Sequence, residues 1–436
     1  MCIRDSPLLN IVLLALLLFV LVTWLLRHFL LSWTFRHDPV LTPTTYAEPV
    51  NPAPRVSVVV PARNEEHNIG PCLDSLLAQD YPDFEVIVID DRSEDRTADI
   101  VEEYTRRDRR VRLIRNTELP EDWTGKNYAL HVGARQATGE YLLFVDADTW
   151  FHPRAVTETM LLTLRARVDM VSLVGGYHNG SFWEKAIHPV VFAFRALCVK
   201  LWKVNDPRSD AAFATGTCIL IRREAYEGIG GHRAVRHDLL EDHALAKAVK
   251  ETGLKLRVAY APQLVQARPY RGFAELRHGW IRIFYGNMRR SVLSQIGGSV
   301  ELLLFSFVPW VVLFGTLGEL VFGEVRPGQV VLCGSAVLAL LANASVLVRM
   351  FPFCETRRRY VLMQFPTLLV VMGMWFTALL KVWLKRPVVW RGTEYRDYRI
   401  GPAVSEVPGK LRDRERPTLA VLWTRRYEPR HKRSTP

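Results

Sequence analysis

The fold class of this chain is decided by the stretch FEVIVIDDRSED at residues 84–95, in which a β-branched apolar run ends in a cluster of carboxylates. A second stretch of the same kind, YLLFVDAD, covers residues 141–148. Acidic side chains at the end of a buried parallel strand lie at the carboxyl edge of the sheet, where open α/β folds bind ligands. Each cluster alone is also compatible with an ordinary polar turn, because Asp is a common turn residue.

The spacing of Asp146-Ala147-Asp148 predicts a particular chemistry. Two carboxylates separated by one residue offer hard oxygen donors for a divalent cation. Mg²⁺ or Mn²⁺ is commonly shared between a few carboxylates and substrate phosphates. This arrangement favours a nucleotide diphosphate as the ligand, as in a sugar nucleotide.

Strand-like and helix-like segments alternate from residue 55 onward. The predicted strands cover 55–61, 84–89, 111–114 and 141–145, and the predicted helices begin near 69, 95 and 126. This alternation predicts right-handed βαβ units and a mostly parallel, Rossmann-like α/β sheet. A Gly-x-Gly-x-x-Gly motif does not follow the first strand, which argues against a dinucleotide cofactor.

Apolar stretches at both ends of the chain predict a membrane protein. Residues 8–26 are long enough, at ~1.5 Å per residue, to cross a ~30 Å hydrocarbon core. A cleaved signal peptide is the alternative, but basic and aromatic residues follow this run where a small-residue cleavage site is expected. Three further apolar stretches cover about 299–322, 329–348 and 362–384, which predicts two to three C-terminal transmembrane helices.

The formal net charge of +12 is concentrated near the predicted membrane segments. Basic residues beside membrane helices stay on the cytoplasmic side and attract anionic lipid, so the charge requires no nucleic-acid partner. The six cysteines form no Cys-x-x-Cys pair, which disfavours a disulfide framework or a zinc site and fits a reducing cytoplasm.

The charge distribution also poses a conflict of topology. Basic residues after the first span place the central domain inside, whereas three further spans would place the basic tail outside. The 299–322 stretch contains Glu301, Pro309 and Glu319, and it is the first candidate for a segment that is re-entrant or split.

Six motifs in order resemble the inverting family 2 glycosyltransferases with a GT-A fold. They cover about 55–285 and comprise Val60-Pro61-Ala62-Arg63-Asn64-Glu65-Glu66, the Asp-Asp-x-Ser-x-Asp at 90–95, Gly125-Lys126-Asn127, Asp146-Ala147-Asp148, Thr215-Gly216-Thr217 before Arg222-Arg223, and Glu241-Asp242. Within that family, Trp123-Thr124-Gly125-Lys126, the three late apolar stretches and Trp390-Arg391-Gly392 look most like the hopanoid-associated, carotenoid or ceramide-type enzymes, which modify membrane lipids.

The resemblance implies roles for individual residues. It implies that Asp91 and Glu65 contact the uracil and ribose of the donor. The full set of implied donor-binding residues is Pro61, Ala62, Arg63, Glu65, Asp91, Lys126 and Asp146. It implies a Mg²⁺ or Mn²⁺ site at Asp148 and Asp146, with Asp148 the more direct ligand. For Lys126, a solvated lysine at a helix start is the alternative.

Asp242 is implied as the general base that removes the acceptor's proton, with Glu241 as second candidate. Both precede the helical stretch from Ala244 to Val249, so a plain helix cap is the alternative.

The acceptor site is implied at Trp280, Arg277, Arg282, Thr215 and Gly216. Residues 273–290 form a basic amphipathic helix with aromatics on one face, which predicts a position in the membrane interface. Family members often carry Gln/Arg-x-x-Arg-Trp here; Gly279 stands before Trp280, so that motif is broken. A plain membrane-surface helix is the alternative.

Taken together, the sequence predicts an N-terminal membrane anchor (1–35), a GT-A domain (50–270), an amphipathic helix (271–295), C-terminal membrane segments (299–384) and a basic tail (385–436). The predicted function is the transfer of a sugar from a UDP-sugar donor to a membrane lipid. It takes place at the cytoplasmic face of the cell (inner) membrane. The alternatives are a processive polysaccharide synthase, a nucleotidyltransferase and a non-catalytic scaffold.

Overall fold

The computed structural model describes residues 7–289, 291–323, 326–390 and 393–395. The strands are β1 (Val56–Ala62), β2 (Phe84–Asp91), β3 (Val111–Asn116), β4 (Tyr141–Phe144), β5 (Thr149–Phe151), β6 (Met170–Val174), β7 (Gly176–Tyr177), β8 (Ile219–Arg222), β9 (Leu256–Tyr260), β10 (Val265–Ala267), β11 (Val388–Trp390) and β12 (Thr393–Tyr395). The helices are α1 (Pro7–His37), α2 (Ile69–Leu77), α3 (Thr97–Arg107), α4 (Gly125–Gln136), α5 (Ala155–Ala166), α6 (Phe182–Cys198), α7 (Arg223–Gly228), α8 (Gly231–Ala234), α9 (Glu241–Glu251), α10 (Phe273–Arg289), α11 (Val292–Val300), α12 (Val308–Phe322), α13 (Pro327–Leu347) and α14 (Gln364–Trp383).

The main sheet has seven strands in the order β3-β2-β1-β4-β8-β6-β9. β8 runs antiparallel to both of its neighbours, and the other adjacent pairs are parallel. β1 is central because its β-branched side chains are buried on both faces. The predicted fold class, an α/β domain with a mostly parallel sheet, is confirmed.

The two faces of this sheet are covered by different elements. Val58 and Val60 belong to the apolar layer that contains α2 and α5, whereas Val59 belongs to the layer that contains α4 and α9. The second layer also includes Leu31 of α1 and Val346 of α13. Two of the long apolar helices therefore dock on the α/β domain through one face of its sheet.

Four helical stretches in the described part of the chain are long and apolar enough to cross a membrane: 7–37, 292–322, 327–354 and 358–383. These four stretches correspond to the one N-terminal and three C-terminal apolar segments predicted from the sequence. The stretch at 292–322 contains a π-helical segment, Glu301–Phe307, between α11 and α12. Glu301 forms a two-pronged ion pair with Arg27 of α1, with N–O distances of 2.7 and 2.6 Å. The acidic residue that made 299–322 unusual in sequence is thus neutralised by a neighbouring helix.

The amphipathic helix predicted at 273–290 is α10. Its apolar side chains Leu276, Trp280, Phe284 and Met288 are buried in a cluster with α6 and α14. The aromatic face of α10 is therefore covered by protein, because α6 and α14 supply the apolar partner that the sequence pattern leaves open. Arg391 and Gly392, Arg290, and the predicted basic tail beyond residue 395 lie outside the described residues.

Candidate active site

The carboxyl ends of β1, β2 and β4 open into a cavity of about 330 Å³. All but one of the predicted site residues line it: Pro61, Ala62, Arg63, Glu65, Asp91, Lys126, Asp146, Asp148, Thr215, Gly216, Glu241, Asp242, Trp280 and Arg282. Arg277 is exposed on the outer side of α10 and is not among the lining residues. Segments separated by more than 200 residues thus meet at one edge of the sheet, as the strand topology requires.

Lys126 connects the two acidic motifs. Its Nζ lies 2.6 Å from Oδ1 of Asp146 and 2.5 Å from Oε1 of Glu241. Burial would lower the pKa of Lys126, but the surrounding carboxylates outweigh it and hold its pKa above the ordinary value. Lys126 is therefore a cation at the centre of the site and not a solvated lysine at a helix start.

Glu241 is buried, and its charge is matched by that lysine. Burial raises the pKa of Glu241, although Lys126 opposes the shift. One carboxylate oxygen of Glu241 is occupied by Lys126 at 2.5 Å. The ion pair therefore distinguishes Glu241 from Asp242, the other candidate carboxylate of the motif.

Asp242 is half-buried and lines the cavity at the first turn of α9. Its Oδ1 accepts a hydrogen bond from the His243 N–H at 2.7 Å, and its Oδ2 accepts one from the Gly216 N–H at 3.1 Å. These bonds orient the carboxylate while leaving it in contact with the cavity. Asp242 therefore restrains the start of its helix and also faces the space where an acceptor would lie.

Gly216 is required by this close packing. A Cβ at that position would lie 2.8 Å from Oδ2 of Asp146 and 2.9 Å from Nζ of Lys126. Any side chain there would displace the ion pair, so the Thr-Gly-Thr motif acts through the small size of its central residue.

Asn127 positions α9 against α4. Its Nδ2 donates to the carbonyl oxygens of Val235 and Asp238, at 2.7 and 3.0 Å. The loop that leads into Glu241 and Asp242 is thereby tied to the helix start that carries Lys126. In the Gly-Lys-Asn motif, the lysine faces the site and the asparagine holds the scaffold.

The loops after β1 and β2 are joined by side chains of the two motifs. Ser93 Oγ accepts from the Asn64 N–H at 3.0 Å, and Asp95 Oδ2 accepts from the Glu66 N–H at 3.0 Å. Asp95 Oδ1 also accepts from the Thr97 N–H at 2.9 Å, at the start of α3. Ser93 and Asp95 thus shape the end of the cavity that holds Glu65 and Asp91 without lining it.

At this end of the cavity, Asp91 is buried and accepts two hydrogen bonds from the Arg92 guanidinium, each 3.0 Å. Glu65 is buried as well, and its Oε2 accepts from Nδ2 of Asn68 at 2.8 Å. Both carboxylates are therefore fixed in position before any ligand binds.

Asp146 and Asp148 suit a shared metal site. They follow β4 directly and line the same cavity, and their carboxylates are half-buried. Among the described residues, no group of three or more His, Cys, Asp or Glu side chains is placed to hold a metal. A two-carboxylate site of this kind fits a Mg²⁺ or Mn²⁺ ion that takes its remaining ligands from diphosphate and water.

Trp280 is buried at 3 % exposure, and its ring packs 5.8 Å from Phe192 and 5.7 Å from Phe284. Its Nε1 has no hydrogen-bond partner among the described residues, although the residue lines the cavity. A side chain at the preceding Gly279 would collide with the Tyr270 ring, which explains why the expected arginine is absent there.

Several lining residues were not predicted from the sequence. The cavity is also lined by a mainly apolar set of residues, which we call the apolar arm: Phe35, Phe192, Arg195, Ala196, Val199, Leu201, Phe213, Tyr260, Met350 and Phe353. They come from α1, α6, β9, the turns that follow α6 and α13, and the segment that precedes β8. None belongs to a local motif, and only long-range packing brings them together.

Comparisons with known proteins agree with this architecture. The model of the glycosyl transferase family 2 matches residues 57–230. A 4,4'-diaponeurosporenoate glycosyltransferase from Staphylococcus aureus (strain USA300) is 27 % identical over 268 residues, which cover 61 % of this chain and 67 % of the relative.

Two solved structures are similar at lower identity. The mannosyltransferase PcManGT from Pyrobaculum calidifontis, solved with GDP-Man and Mn²⁺, is 23 % identical with a TM-score of 0.49 and covers 84 % of this chain and 99 % of its own. Glucosyl-3-phosphoglycerate synthase from Mycobacterium tuberculosis is 18 % identical with a TM-score of 0.41 and covers 58 % of this chain and 87 % of its own. The matched family model, the motif residues gathered in one cavity and the sheet that carries them show that residues 57–230 form a domain of the glycosyl transferase family 2 and that the chain is a transferase enzyme.

Proposed function

We propose that this enzyme transfers a sugar from a nucleotide-sugar donor, a UDP-hexose, to a hydroxyl or carboxyl group on a membrane lipid. The observation that carries the proposal is the shape of the cavity. Its carboxylates lie at the strand edge, and its apolar arm includes Phe35 and Phe353, which belong to two helical stretches of membrane length. A soluble sugar acceptor would not require such walls.

The donor would lie at the end of the cavity that holds Glu65, Asp91 and Lys126. Glu65 and Asp91 would accept hydrogen bonds from the ribose and uracil, and Lys126 would place positive charge beside the diphosphate. Asp146 and Asp148 would hold the divalent cation. When bound, this ion supplies positive charge that stabilises the diphosphate as it leaves.

Transfer requires one proton movement when the acceptor is a hydroxyl. The acceptor oxygen attacks the anomeric carbon, the bond from that carbon to the diphosphate oxygen breaks, and the configuration inverts. Asp242 takes the acceptor's proton, which is the role its exposed position in the cavity allows. Lys126 keeps Glu241 occupied and screens the acidic cluster from the incoming diphosphate.

The relative from Staphylococcus aureus supports a lipid acceptor, since its name gives 4,4'-diaponeurosporenoate as its substrate. The four membrane-length helices support a membrane location. We place the enzyme in the cell (inner) membrane with its catalytic domain in the cytoplasm, where nucleotide sugars are made and where basic flanking residues are retained.

The proposal is tested by measuring UDP release from a panel of nucleotide sugars in the presence of total membrane lipid. We expect release with a UDP-hexose that depends on added lipid, is abolished by chelation and is restored by Mn²⁺ or Mg²⁺. Asp148→Ala should abolish it, while the matched exposed change Asp99→Ala should not. Full activity of Asp148→Ala, or release that is indifferent to lipid, would contradict the proposal.

A further inference from the structure

The apolar arm contains a cation without an ionic partner. Arg195 on α6 is half-buried and lines the arm. Its guanidinium lies 5.7 Å from the centre of the Phe213 ring. Within the described residues, no carboxylate lies within 4 Å of it, whereas Lys126 in the same cavity contacts two carboxylates. The arm therefore holds one uncompensated positive charge between apolar walls.

Such a charge is costly without a partner. Taking a cation out of water is unfavourable unless an opposite charge or hydrogen bonds replace its hydration, and half-burial of Arg195 removes part of that hydration. A contact with one aromatic ring replaces it only in part. An anionic ligand in the arm would restore the balance.

A second polar group in the arm also lacks a partner. Tyr260 is 3 % exposed, and its hydroxyl has no hydrogen-bond partner among the described residues. Its ring packs against Phe35 and Phe353, with centroid distances of 4.9 and 5.4 Å. Burying a hydroxyl of this kind is unfavourable unless a ligand or water completes its hydrogen bonding.

The remaining walls indicate what the rest of the ligand is like. Phe192, Phe213, Met350 and Phe353 offer hydrocarbon and ring surfaces, and the arm abuts the end of α1. A ligand that matches these walls has an extended apolar body and a single negative charge. A nucleotide-sugar donor does not match them, because it is polar and carries a diphosphate.

We propose that the acceptor is an acidic lipid, and that Arg195 binds its carboxylate while the apolar arm holds its hydrocarbon body. The inference rests on the proposed function and narrows its acceptor class. A carboxylate is favoured over a phosphate because Arg195 is the one cation that the described lining of the arm contains, and it matches a single negative charge. The planar guanidinium suits a two-pronged contact with a carboxylate.

The test is ligand binding to the full chain in nanodiscs of neutral phospholipid. Oleate and oleyl alcohol are the probes, because they share a hydrocarbon chain and differ in charge at pH 7.5. We expect the wild type to bind oleate about tenfold or more tightly than the alcohol, which is the size expected for a hydrogen-bonded charge pair. Arg195→Gln should remove this preference without changing the affinity for the alcohol or for UDP, and Arg195→Lys should retain part of it.

The control is Lys203→Gln, which removes an exposed positive charge close to α6 without touching the cavity. An unchanged preference in Arg195→Gln would overturn the proposal, as would an equal loss in Lys203→Gln. Weakened UDP binding in Arg195→Gln would make Arg195 a diphosphate contact instead. A larger Arg195-dependent preference for oleyl phosphate than for oleate would overturn the carboxylate assignment.

The outcome is separable from that of the proposed function. Sugar transfer to neutral lipids that is unaffected by Arg195→Gln would refute the acidic acceptor and leave the transferase in place. Arg195-dependent oleate binding without lipid-dependent UDP release would support the binding site and refute the proposed reaction.

Discussion

At the scale of single residues, the site is organised by one lysine among several carboxylates. Lys126 pairs with Asp146 and Glu241, and Gly216 leaves room for that pair. The pairing divides the acidic residues into two groups. Glu241 is neutralised within the protein, whereas Asp242 accepts hydrogen bonds from the backbone N–H groups of Gly216 and His243 and faces the cavity.

The first residue-scale prediction concerns Asp242→Asn. The amide keeps the size of the side chain but cannot accept a proton, so turnover with a hydroxyl acceptor should fall by about 10²–10⁴. UDP affinity should persist, as measured by calorimetry on the detergent-solubilised enzyme. An unchanged turnover number with unchanged stability would transfer the role of base to Glu241. A lower thermal stability with an unchanged turnover number of the folded enzyme would reduce Asp242 to a helix cap.

The second concerns the buried indole of Trp280. Trp280→Phe keeps an aromatic ring against Phe192 and removes the Nε1 donor. If that donor contacts the acceptor, the apparent KM for lipid should rise about fivefold, the worth of one neutral hydrogen bond of about 1 kcal/mol. The KM for the UDP-sugar should stay the same.

The matched control for this variant is Trp310→Phe. Trp310 also has a buried Nε1 without a partner in the described structure, but it lies on α12 and does not line the cavity. If the apparent KM for lipid rose equally in both variants, the rise would reflect a loss of stability and not a lost contact with the acceptor. The helix α10 would then be a structural support.

At the scale of elements, the donor end depends on two loops that hold each other. The loop after β1 and the loop before α3 are joined through Ser93 and Asp95. Burial would raise the pKa of Asp95, but hydrogen bonds from Thr97 and from the Glu66 N–H outweigh it and lower the pKa below its ordinary value. The ionised carboxylate therefore stabilises this pair of loops.

Asp95→Asn should consequently lower stability by ~1–3 kcal/mol at neutral pH, because several N–H and O–H donors lose a charged acceptor. The direction in which this stability difference changes with pH follows from the lowered pKa of Asp95. The stabilisation by the Asp95 carboxylate is complete above the unfolded-state pKa of about 3.9 and is lost as the pH falls through the lower pKa of the folded state. Thermal denaturation in detergent should show the gap between wild type and variant closing below about pH 4.

Glu94→Gln is the control, since it changes a neighbouring exposed carboxylate. The interpretation fails if Glu94→Gln destabilises as much as Asp95→Asn, or if the gap persists unchanged at pH 3.

At the scale of the whole molecule, the packing of α14 bears on the conflict of topology. Just before α14, the Tyr360 ring lies 5.7 Å from Phe182 at the start of α6. At its other end, Trp383 donates to Gln295 at 3.1 Å, and Val388 packs in the cluster that contains Leu276 of α10. Both ends of α14 therefore contact elements next to the catalytic domain.

We therefore expect α14 to return to the catalytic side instead of crossing, which leaves α1, the 292–322 stretch and α13 as the spans. The basic groups at 357–359 and 385–386 would then lie on one side with the domain, as the positive-inside rule requires. The apolar segment that does not cross the membrane would then be α14, and not 299–322, which was the first candidate from the sequence.

Reporter fusions test this arrangement. Green fluorescent protein fused after residue 390 should fluoresce, and alkaline phosphatase fused after residue 323 should be active, because the first reporter works in the cytoplasm and the second outside it. A fusion after residue 38 provides the cytoplasmic reference. Active phosphatase after residue 390 would restore α14 as a span.

The sequence by itself determined the order of the elements, the sheet class and most of the donor end. Strands and helices appear as local periodicities, and Asp91, Asp146 and Asp148 stand at predicted strand ends, so topology alone brings them together. The bounds of β2 and α4 were predicted to within about two residues for the same reason.

Only the tertiary structure decided which charges are paired and which surfaces are covered. The pairing of Lys126 with Glu241, the burial of the aromatic face of α10 against α14, and the apolar arm with Arg195 and Phe353 each join residues that are far apart in the chain. No local pattern records such contacts, because the free energy of burying a side chain depends on the partner that the fold brings to it and not on its neighbours in sequence.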